Sequence, residues 1–244
     1  MFEQEGVKVM KRSFRLRRAM VLLLILAVGL LAGCMTVNHL DLYDFEGARL
    51  AADMRTPPDP QLRIDYDVQL GGSAVMSALS VMSNLAKANQ AARTRELMRS
   101  ALVGVDVPGI VRAESFNACS SSLGTEQVDS IRLADYVLAL RIEEWGLEAR
   151  SPLSAVSLHM KLTASLYPRK TDELAWRREV TIDEPADPGM FGGNSIVGNM
   201  VTATVLSNMT EEDLARGFKE LASLAARRVA FELEGDLDRA RYGG

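Results

Sequence analysis

The stretch from Ala155 to Ile182 carries the clearest alternation of apolar and polar positions in the chain. Val156, Leu158, Met160, Leu162, Ala164 and Leu166 fall on one side; Ser157, His159, Lys161, Thr163 and Ser165 fall on the other. Side chains of a strand alternate with a period of two, so this is the pattern of a half-buried strand. Pro168 to Glu173 is polar and turn-forming, and Leu174, Trp176, Val180 and Ile182 then resume the pattern. The pair predicts a β-hairpin with a loop of about five residues. Upstream, Tyr136, Leu138, Leu140 and Ile142 share one face while Val137 and Ala139 make the other face apolar as well. That predicts a central strand, with Trp145-Gly146 marking its end or a bulge. Leu62 to Leu70 alternates cleanly and stops at Gly71-Gly72, and Val107 to Ala113 reads as a further short strand. Ser120 to Gly124 reads as a loop.

Helical spacing occurs in three places. Val75, Leu79, Met82 and Ala86 predict a helix or broken helix from Ser73 to Leu102, continued by Leu97 and Met98 and stopped near Gly104. Ile196 to Met209 is apolar and uncharged. It reads as a short buried helix or as a loop touching a partner or a membrane surface, and it is too short to span a bilayer. Thr210-Glu211-Glu212-Asp213 has the form of a capping box, and Leu214, Phe218, Leu221, Ala225 and Val229 follow as a helical stripe with Gly235 placed to end it. The resulting order, β-α-β-β-β-β-α, predicts an α+β two-layer domain: a mainly antiparallel or mixed sheet with its helices on one face. This single domain is expected over 61–235. Before it, 34–60 reads as a tether containing Arg55-Thr56-Pro57-Pro58-Asp59-Pro60, and after it 236–244 reads as a frayed charged tail.

The N-terminus has a different pattern. Lys8, Lys11, Arg12, Arg15, Arg17 and Arg18 precede an apolar run of 13 residues, Ala19 to Leu31, and Ala32-Gly33-Cys34 follows. The run is short for a transmembrane helix and fits the apolar core of a secretory signal. Met1 and Met10 are both candidate starts. Leu31-Ala32-Gly33-Cys34 resembles the lipobox of bacterial lipoproteins. The resemblance implies cleavage between Gly33 and Cys34, removal of residues 1–33 and lipidation of Cys34. Met35, rather than Asp, follows the cysteine; in a Gram-negative cell this implies sorting to the outer membrane, facing the periplasm. Lipoproteins of this type carry two or three acyl chains, enough for stable anchoring where one chain is marginal.

Charge and cysteine content narrow the functional classes. Six of the 28 basic and two of the 32 acidic residues lie before residue 34, leaving 22 positive and 30 negative side chains, a net of −8. An acidic body lacks the basic footprint that nucleic acid requires, and lipid rather than charge is expected to hold the protein to its membrane. With Cys34 acylated, Cys119 is left without an intrachain partner and reads as a small buried residue.

Few residues suggest chemistry. His159 sits on the polar side of its strand with no Cys, Asp or Glu at ligand spacing, and reads as satisfied or solvated rather than metal-binding. His39 lies in the expected tether. Adjacent Glu143 and Glu144, like Arg177 and Arg178, should point to opposite faces of a strand, while Asp65 and Asp67 share an exposed face. The sequence carries no nucleophile elbow, P-loop or dinucleotide fingerprint. No catalytic residue, metal ligand or cofactor is expected beyond the lipid on Cys34.

Residues 130–182 resemble a pattern found in periplasmic lipoproteins. Ala134-Asp135-Tyr136-Val137-Leu138-Ala139-Leu140-Arg141-Ile142 is followed by a strand and then by Lys170-Thr171-Asp172-Glu173-Leu174-Ala175-Trp176. This is similar to relatives of the curli-secretion lipoprotein, the TolB N-terminal domain and the auxiliary lipoproteins of lipid-exporting transporters, although Asp172 stands where glycine is commoner. The resemblance implies a protein that assembles with itself or docks to an envelope machine and brings no catalytic residues. An alternative is an accessory carrier holding a lipid or other apolar ligand, with a cavity lined by Met160 and Leu162. A third reading is a periplasmic hydrolase using His159 and nearby carboxylates.

Overall fold

The computed structural model of the chain describes residues 36–64, 91–149, 156–171, 173–185 and 209–242. From Val37 onward these belong to one compact unit, Val37–Gly244. The described strands are β1 (Val37–Asn38), β2 (Arg49–Met54), β3 (Gln61–Ile64), β4 (Glu126–Gln127), β5 (Tyr136–Ala149), β6 (Ser157–Pro168) and β7 (Trp176–Pro185). Residues 91–101 are helical and form α1; α2 is Val107–Leu123 and α3 is Glu211–Tyr242. The architecture is the expected α+β arrangement, with a mixed seven-stranded sheet in the order β1-β7-β6-β5-β2-β4.

The antiparallel half contains the strands that the alternation marks. Val156, just before β6, and Leu158, Met160, Leu162, Ala164 and Leu166 within it are all buried. β6 pairs antiparallel with β5 on one side and β7 on the other. The parallel half is less local. β2 runs beside Tyr136 to Leu140 of β5, and β3 runs beside Gly146 to Ala149. Both therefore line the same edge of β5, one after the other. Pro57, Pro58 and Pro60 separate them; proline lacks the N–H a sheet ladder needs, which accounts for the gap. The indole N–H of Trp145 donates to the Pro58 carbonyl oxygen at 2.8 Å and holds the linking segment to the sheet.

The expected tether over 34–60 is corrected from Val37 onward, because residues 37–54 are part of the domain. Leu40, Phe45, Leu50 and Ala51 are buried. Phe45 and Tyr43 surround the ring of Tyr136 at centroid distances of 4.8 and 6.2 Å, and the Tyr136 hydroxyl donates to the Asp44 carbonyl oxygen. Leu50, Ala51 and Ala52 form a continuous apolar run, as a strand covered on both faces requires, rather than the alternation that makes an edge strand visible. The frayed tail is corrected as well. α3 continues through Gly235 to Tyr242, with Asp236 and Leu237 buried. Its start is as expected: Thr210 Oγ1 accepts the Asp213 N–H at 3.1 Å, and Asp213 Oδ2 accepts the Thr210 N–H.

Val107 to Ala113 is not a strand but the start of α2, and 120–124 is its end rather than a loop. Asp106 caps the helix by accepting the Gly109 N–H at 2.9 Å, Pro108 sits in the first turn, and Gly124 closes the last with φ +69°. Every fourth residue is buried: Val107, Val111, Ser115, Cys119 and Leu123. Serine and cysteine in the middle of that stripe conceal its helical period. α2 packs against α3, and Ser223 Oγ of α3 donates to Glu114 Oε1 of α2 at 2.8 Å.

Two consequences can be measured. The Ser115 hydroxyl is buried without a hydrogen-bond partner among the described groups. A buried hydroxyl left unpaired costs about 1–3 kcal/mol, so Ser115→Ala is expected to leave stability unchanged or raise it by about 1 kcal/mol in urea unfolding. The Cys119 thiol is fully buried, and burial pushes it up to about 12. Thiolate is the reactive form. Ellman's reagent is therefore expected to label Cys119 only after denaturation.

The strand expected at 62–70 coincides with β3 through Ile64, and 65–70 lies outside the described residues. Of the helix expected over 73–102, residues 91–101 are helical and 73–90 lie outside them, as does most of 196–209. The helix end near Gly104 is observed, as a 3-10 turn over Leu102–Gly104.

Candidate functional site

A β-bulge in β5 builds the polar constellation on the face of the sheet away from α2 and α3. Ile142 pairs with Leu162 and Glu144 with Lys161, so Glu143 is the extra residue. Before the bulge Leu138, Leu140 and Ile142 face the helices; after it Trp145 and Leu147 do. Trp145 packs edge-on to Phe218 of α3 at 5.4 Å. One consequence reverses an expectation. Glu143 and Glu144 do not point to opposite faces: Glu143 Oε1 accepts from Thr163 Oγ1 at 2.8 Å, and Glu144 Oε1 lies 3.1 Å from His159 Nε2. Thr163 and His159 share one face of β6, so both glutamates point the same way. An extra residue shifts the side-chain phase by one position, and adjacent residues then lose their opposition.

Two rows of ionic side chains cross the sheet. In the first, Arg63 of β3 donates through Nη2 to Glu144 Oε2 at 2.5 Å; Glu144 meets His159 of β6, and His159 Nδ1 lies 2.7 Å from Asp183 Oδ1 of β7. In the second, Lys161 Nζ lies 2.9 Å from Glu179 and 4.0 Å from Glu143. The hydrogen bond with His159 outweighs the upward push of burial and, together with Arg63, holds the Glu144 carboxyl below its ordinary range. The His159 side chain is only 12 % exposed, while that of Asp183 is 42 % exposed. His159 is thus satisfied, as expected. Its partners come from other strands, 15 and 24 residues away, and no local spacing marks them. Glu148 joins the same group: one ligand-capable atom from each of Glu148, His159 and Asp183 lie within 4.8 Å of one another. Among the described residues this cluster is where a cation could be held.

On the opposite face lies Arg178, split from the exposed Arg177 as expected of adjacent residues in a strand. It points toward α3, where its Nε and Nη2 donate to Asp236 Oδ2 and Oδ1, each at 2.5 Å. Trp176 Nε1 donates to Oδ2 of the same carboxylate at 2.8 Å, and Arg239 reaches Oδ1. The Asp236 side chain is 1 % exposed. Asn38 of β1 donates to the Asp236 carbonyl oxygen at 3.0 Å. Strand β7, the end of α3 and strand β1 therefore meet at one residue. Beside this junction a groove of about 490 Å³ runs between residues 40–46 and the last turn of α3, lined by Leu42, Tyr43, Leu237, Ala240 and Arg241.

The residues that carried the resemblance in 134–176 have structural roles. Asp135 accepts two hydrogen bonds from the Arg49 guanidinium, each at 3.0 Å, and one from the Arg49 N–H at 3.1 Å, which locks β2 against the start of β5. The side-chain hydrogen bond from Arg49 is the main reason the Asp135 carboxyl is lowered to about 2. The buried Ala134 offers its carbonyl oxygen to Arg169 Nε at 2.8 Å. Both members of the Arg49–Asp135 pair are well over a third exposed, so screening limits its worth. Asp135→Asn is expected to cost at most about 1 kcal/mol at pH 7. Because the folded carboxyl is lowered, that contribution is complete above the unfolded value of about 4 and is lost as pH falls through about 2. Urea titrations at pH 7 and pH 2 check it.

Cys34 and Gly33, the expected lipidation and cleavage residues, lie outside the described residues, as do Asp65 and Asp67. Met160 and Leu162 are fully buried within the hydrophobic core. Among the described residues, no helix is long and apolar enough to cross a membrane.

No family model matches the sequence, and no curated protein matches it. Solved structures show remote likeness. A DUF330 protein from Xanthomonas campestris is 17% identical over 54% of this chain, with a TM-score of 0.34; the match spans 64% of that chain, under two-thirds of its length. The PelC dodecamer from Paraburkholderia phytofirmans is 9% identical, covering 75% of this chain and 94% of that one, with a TM-score of 0.33. A hypothetical protein from Chlamydia trachomatis is 9% identical, covering 81% and 99%, with a TM-score of 0.36. Likeness at these values carries no argument about what this chain does.

Proposed function

We propose that this chain is a lipid-anchored lipoprotein of the bacterial envelope, acylated on Cys34 after cleavage behind Gly33. It faces the periplasm from the outer membrane and serves as a structural, assembly or docking component. The observation that carries the reading is the order of the basic segment, the 13-residue apolar run and Leu31-Ala32-Gly33-Cys34. The start of the fold supports it. Val37 already belongs to β1, so only Met35 and Thr36 separate Cys34 from the folded domain.

The role is non-enzymatic. Both ring nitrogens of His159 are engaged by carboxylates, so neither stands against a hydroxyl or thiol as a base toward a nucleophile. The Cys119 thiol is buried. Several large apolar side chains are exposed instead, among them Leu42, Leu133, Phe231 and Tyr242. These suit contact with an envelope partner or a second copy of the chain. Nucleic acid is not a partner for a body carrying a net charge of −8 after residue 33.

Expression in a Gram-negative host with labelled palmitate tests the reading. Label incorporated into the wild-type chain and absent from Cys34→Ser is expected, together with accumulation of a slower-migrating precursor in globomycin. A chain that takes up no label and whose mobility ignores globomycin overturns the anchor. In vivo crosslinking of the lipidated protein should then yield discrete adducts; an uncrosslinked monomer overturns the docking role.

A further inference from the structure

We propose that Glu148, His159 and Asp183 form a binding site for a divalent transition-metal cation of the Zn²⁺ type on the sheet face away from the helices. The proposal does not depend on the lipid anchor. One ligand-capable atom from each residue lies within 4.8 Å of the others. The three come from adjacent strands β5, β6 and β7, whose paired backbones hold them in place: His159 lies directly opposite both Gly146 and Asp183.

The hydrogen-bond pattern at His159 points the same way. Nδ1 lies 2.7 Å from Asp183 Oδ1 and Nε2 lies 3.1 Å from Glu144 Oε1. An ionised carboxylate only accepts, and a neutral imidazole has one N–H to give. A neutral ring can therefore satisfy one carboxylate; the other edge needs a second proton or a metal ion. Glu144 is fixed from its far side by Arg63 at 2.5 Å. This matches the arrangement in which a metal-bound histidine gives its remaining N–H to a carboxylate that orients the ring. Nε2–H thus belongs to Glu144, and Nδ1 faces the cation together with Asp183 and Glu148. Arg63 is paired with the orienting glutamate, and Glu148 and Asp183 are the carboxylates that would stand on the cation.

One nitrogen and two carboxylate oxygens favour a borderline cation over Ca²⁺ or Mg²⁺, which take oxygen ligands almost alone. Bond lengths of about 2.0–2.2 Å in a tetrahedral site bring the ligand atoms closer together than 4.8 Å. The Glu148 side chain must swing inward, and the direct contact between His159 and Asp183 must open. The 42 % exposure of Asp183 gives the cation an approach and leaves room for water as a fourth ligand.

The test is calorimetric titration of the full chain, purified in detergent and stripped with chelator, with ZnCl2. One saturable site is expected, and His159→Gln and Asp183→Asn should each weaken it by about tenfold or more. His39→Gln, which changes the chain's other histidine, should leave it unchanged. Far-UV circular dichroism of each variant, compared with wild type, shows that the fold persists. Absence of saturable uptake by the wild-type chain overturns the proposal, as does uptake that survives in both His159→Gln and Asp183→Asn. Loss of binding in His39→Gln with retention in His159→Gln would place the cation at the other histidine and also overturn it.

Discussion

Replacing Asp236 with alanine is expected to destabilise the protein by about 3 kcal/mol, roughly 10 °C of Tm for a domain of this size. The carboxylate is fully buried and accepts hydrogen bonds from Arg178, Trp176 and Arg239. Its removal takes away the buried acceptor that the Arg178 guanidinium and the Trp176 indole N–H share beneath α3. Breaking a buried ion pair from one side costs about 3–5 kcal/mol. The lower end applies, because the Arg178 side chain is 22 % exposed and water can reach it. Trp176→Phe removes one donor and part of a fully buried ring, and should cost about 2 kcal/mol.

The same site predicts a pH signature. Burial pushes the Asp236 carboxyl up, but the hydrogen bonds from Arg178, Trp176 and Arg239 outweigh it, and the group ends below its ordinary range. A lowered folded value means that the unfolded chain binds the proton more readily. The stabilisation is complete above the unfolded value of about 4 and is lost as pH falls through the folded value. The stability gap between wild type and Asp236→Ala should therefore shrink as pH drops below about 4. Urea unfolding at pH 7 and pH 3 reads it; a gap that stays constant would mean the carboxylate is not ionised in this contact.

Gly146→Ala should be at least as damaging, by about 3 kcal/mol or more. Gly146 has φ +144°, and an added Cβ would stand 1.9 Å from the Gln61 carbonyl oxygen and 2.7 Å from the Gln61 nitrogen. The obstacle is the backbone of β3, which cannot turn aside as a side chain can. The variant must twist β5 or release β3. Releasing β3 also breaks the Arg63 contact with Glu144, so the histidine row loses its outer member. Hydrogen exchange locates the damage: amides of Gln61 to Ile64 should lose protection while those of β6, β7 and the middle of α3 keep theirs. Unchanged protection across Gln61 to Ile64 would show that β3 does not lie against Gly146.

The legible parts of the fold are those whose signal is local. Val156 to Leu166 alternates because its two faces meet different surroundings, and the partner strand follows after one short turn, so hairpin and register can be read together. Thr210 and Asp213 announce the start of α3 because a capping box closes within four residues. The illegible parts depend on distant partners. Leu50-Ala51-Ala52 has no alternation because β2 is covered on both faces. Ser115 and Cys119 interrupt the buried stripe of α2 with a hydroxyl and a small side chain, so its period of four does not stand out as a row of large apolar residues. Asp236 reads as the start of a charged tail because nothing near it in the chain reveals Arg178, which lies 58 residues earlier.

The candidate site divides the same way. Alternation assigns His159 to the polar side of its strand. A bulge of one residue then places Glu143 and Glu144 together, and strand pairing brings Asp183 alongside. By itself the sequence determined the strand phases of the hairpin, the cap of α3 and the acidic balance, since each rests on residues within a few positions of one another. Only the tertiary structure decided which charges meet, at His159 on one face and at Asp236 on the other. Those contacts cross strands and helices, and they form where the backbone brings distant segments to hydrogen-bond distance.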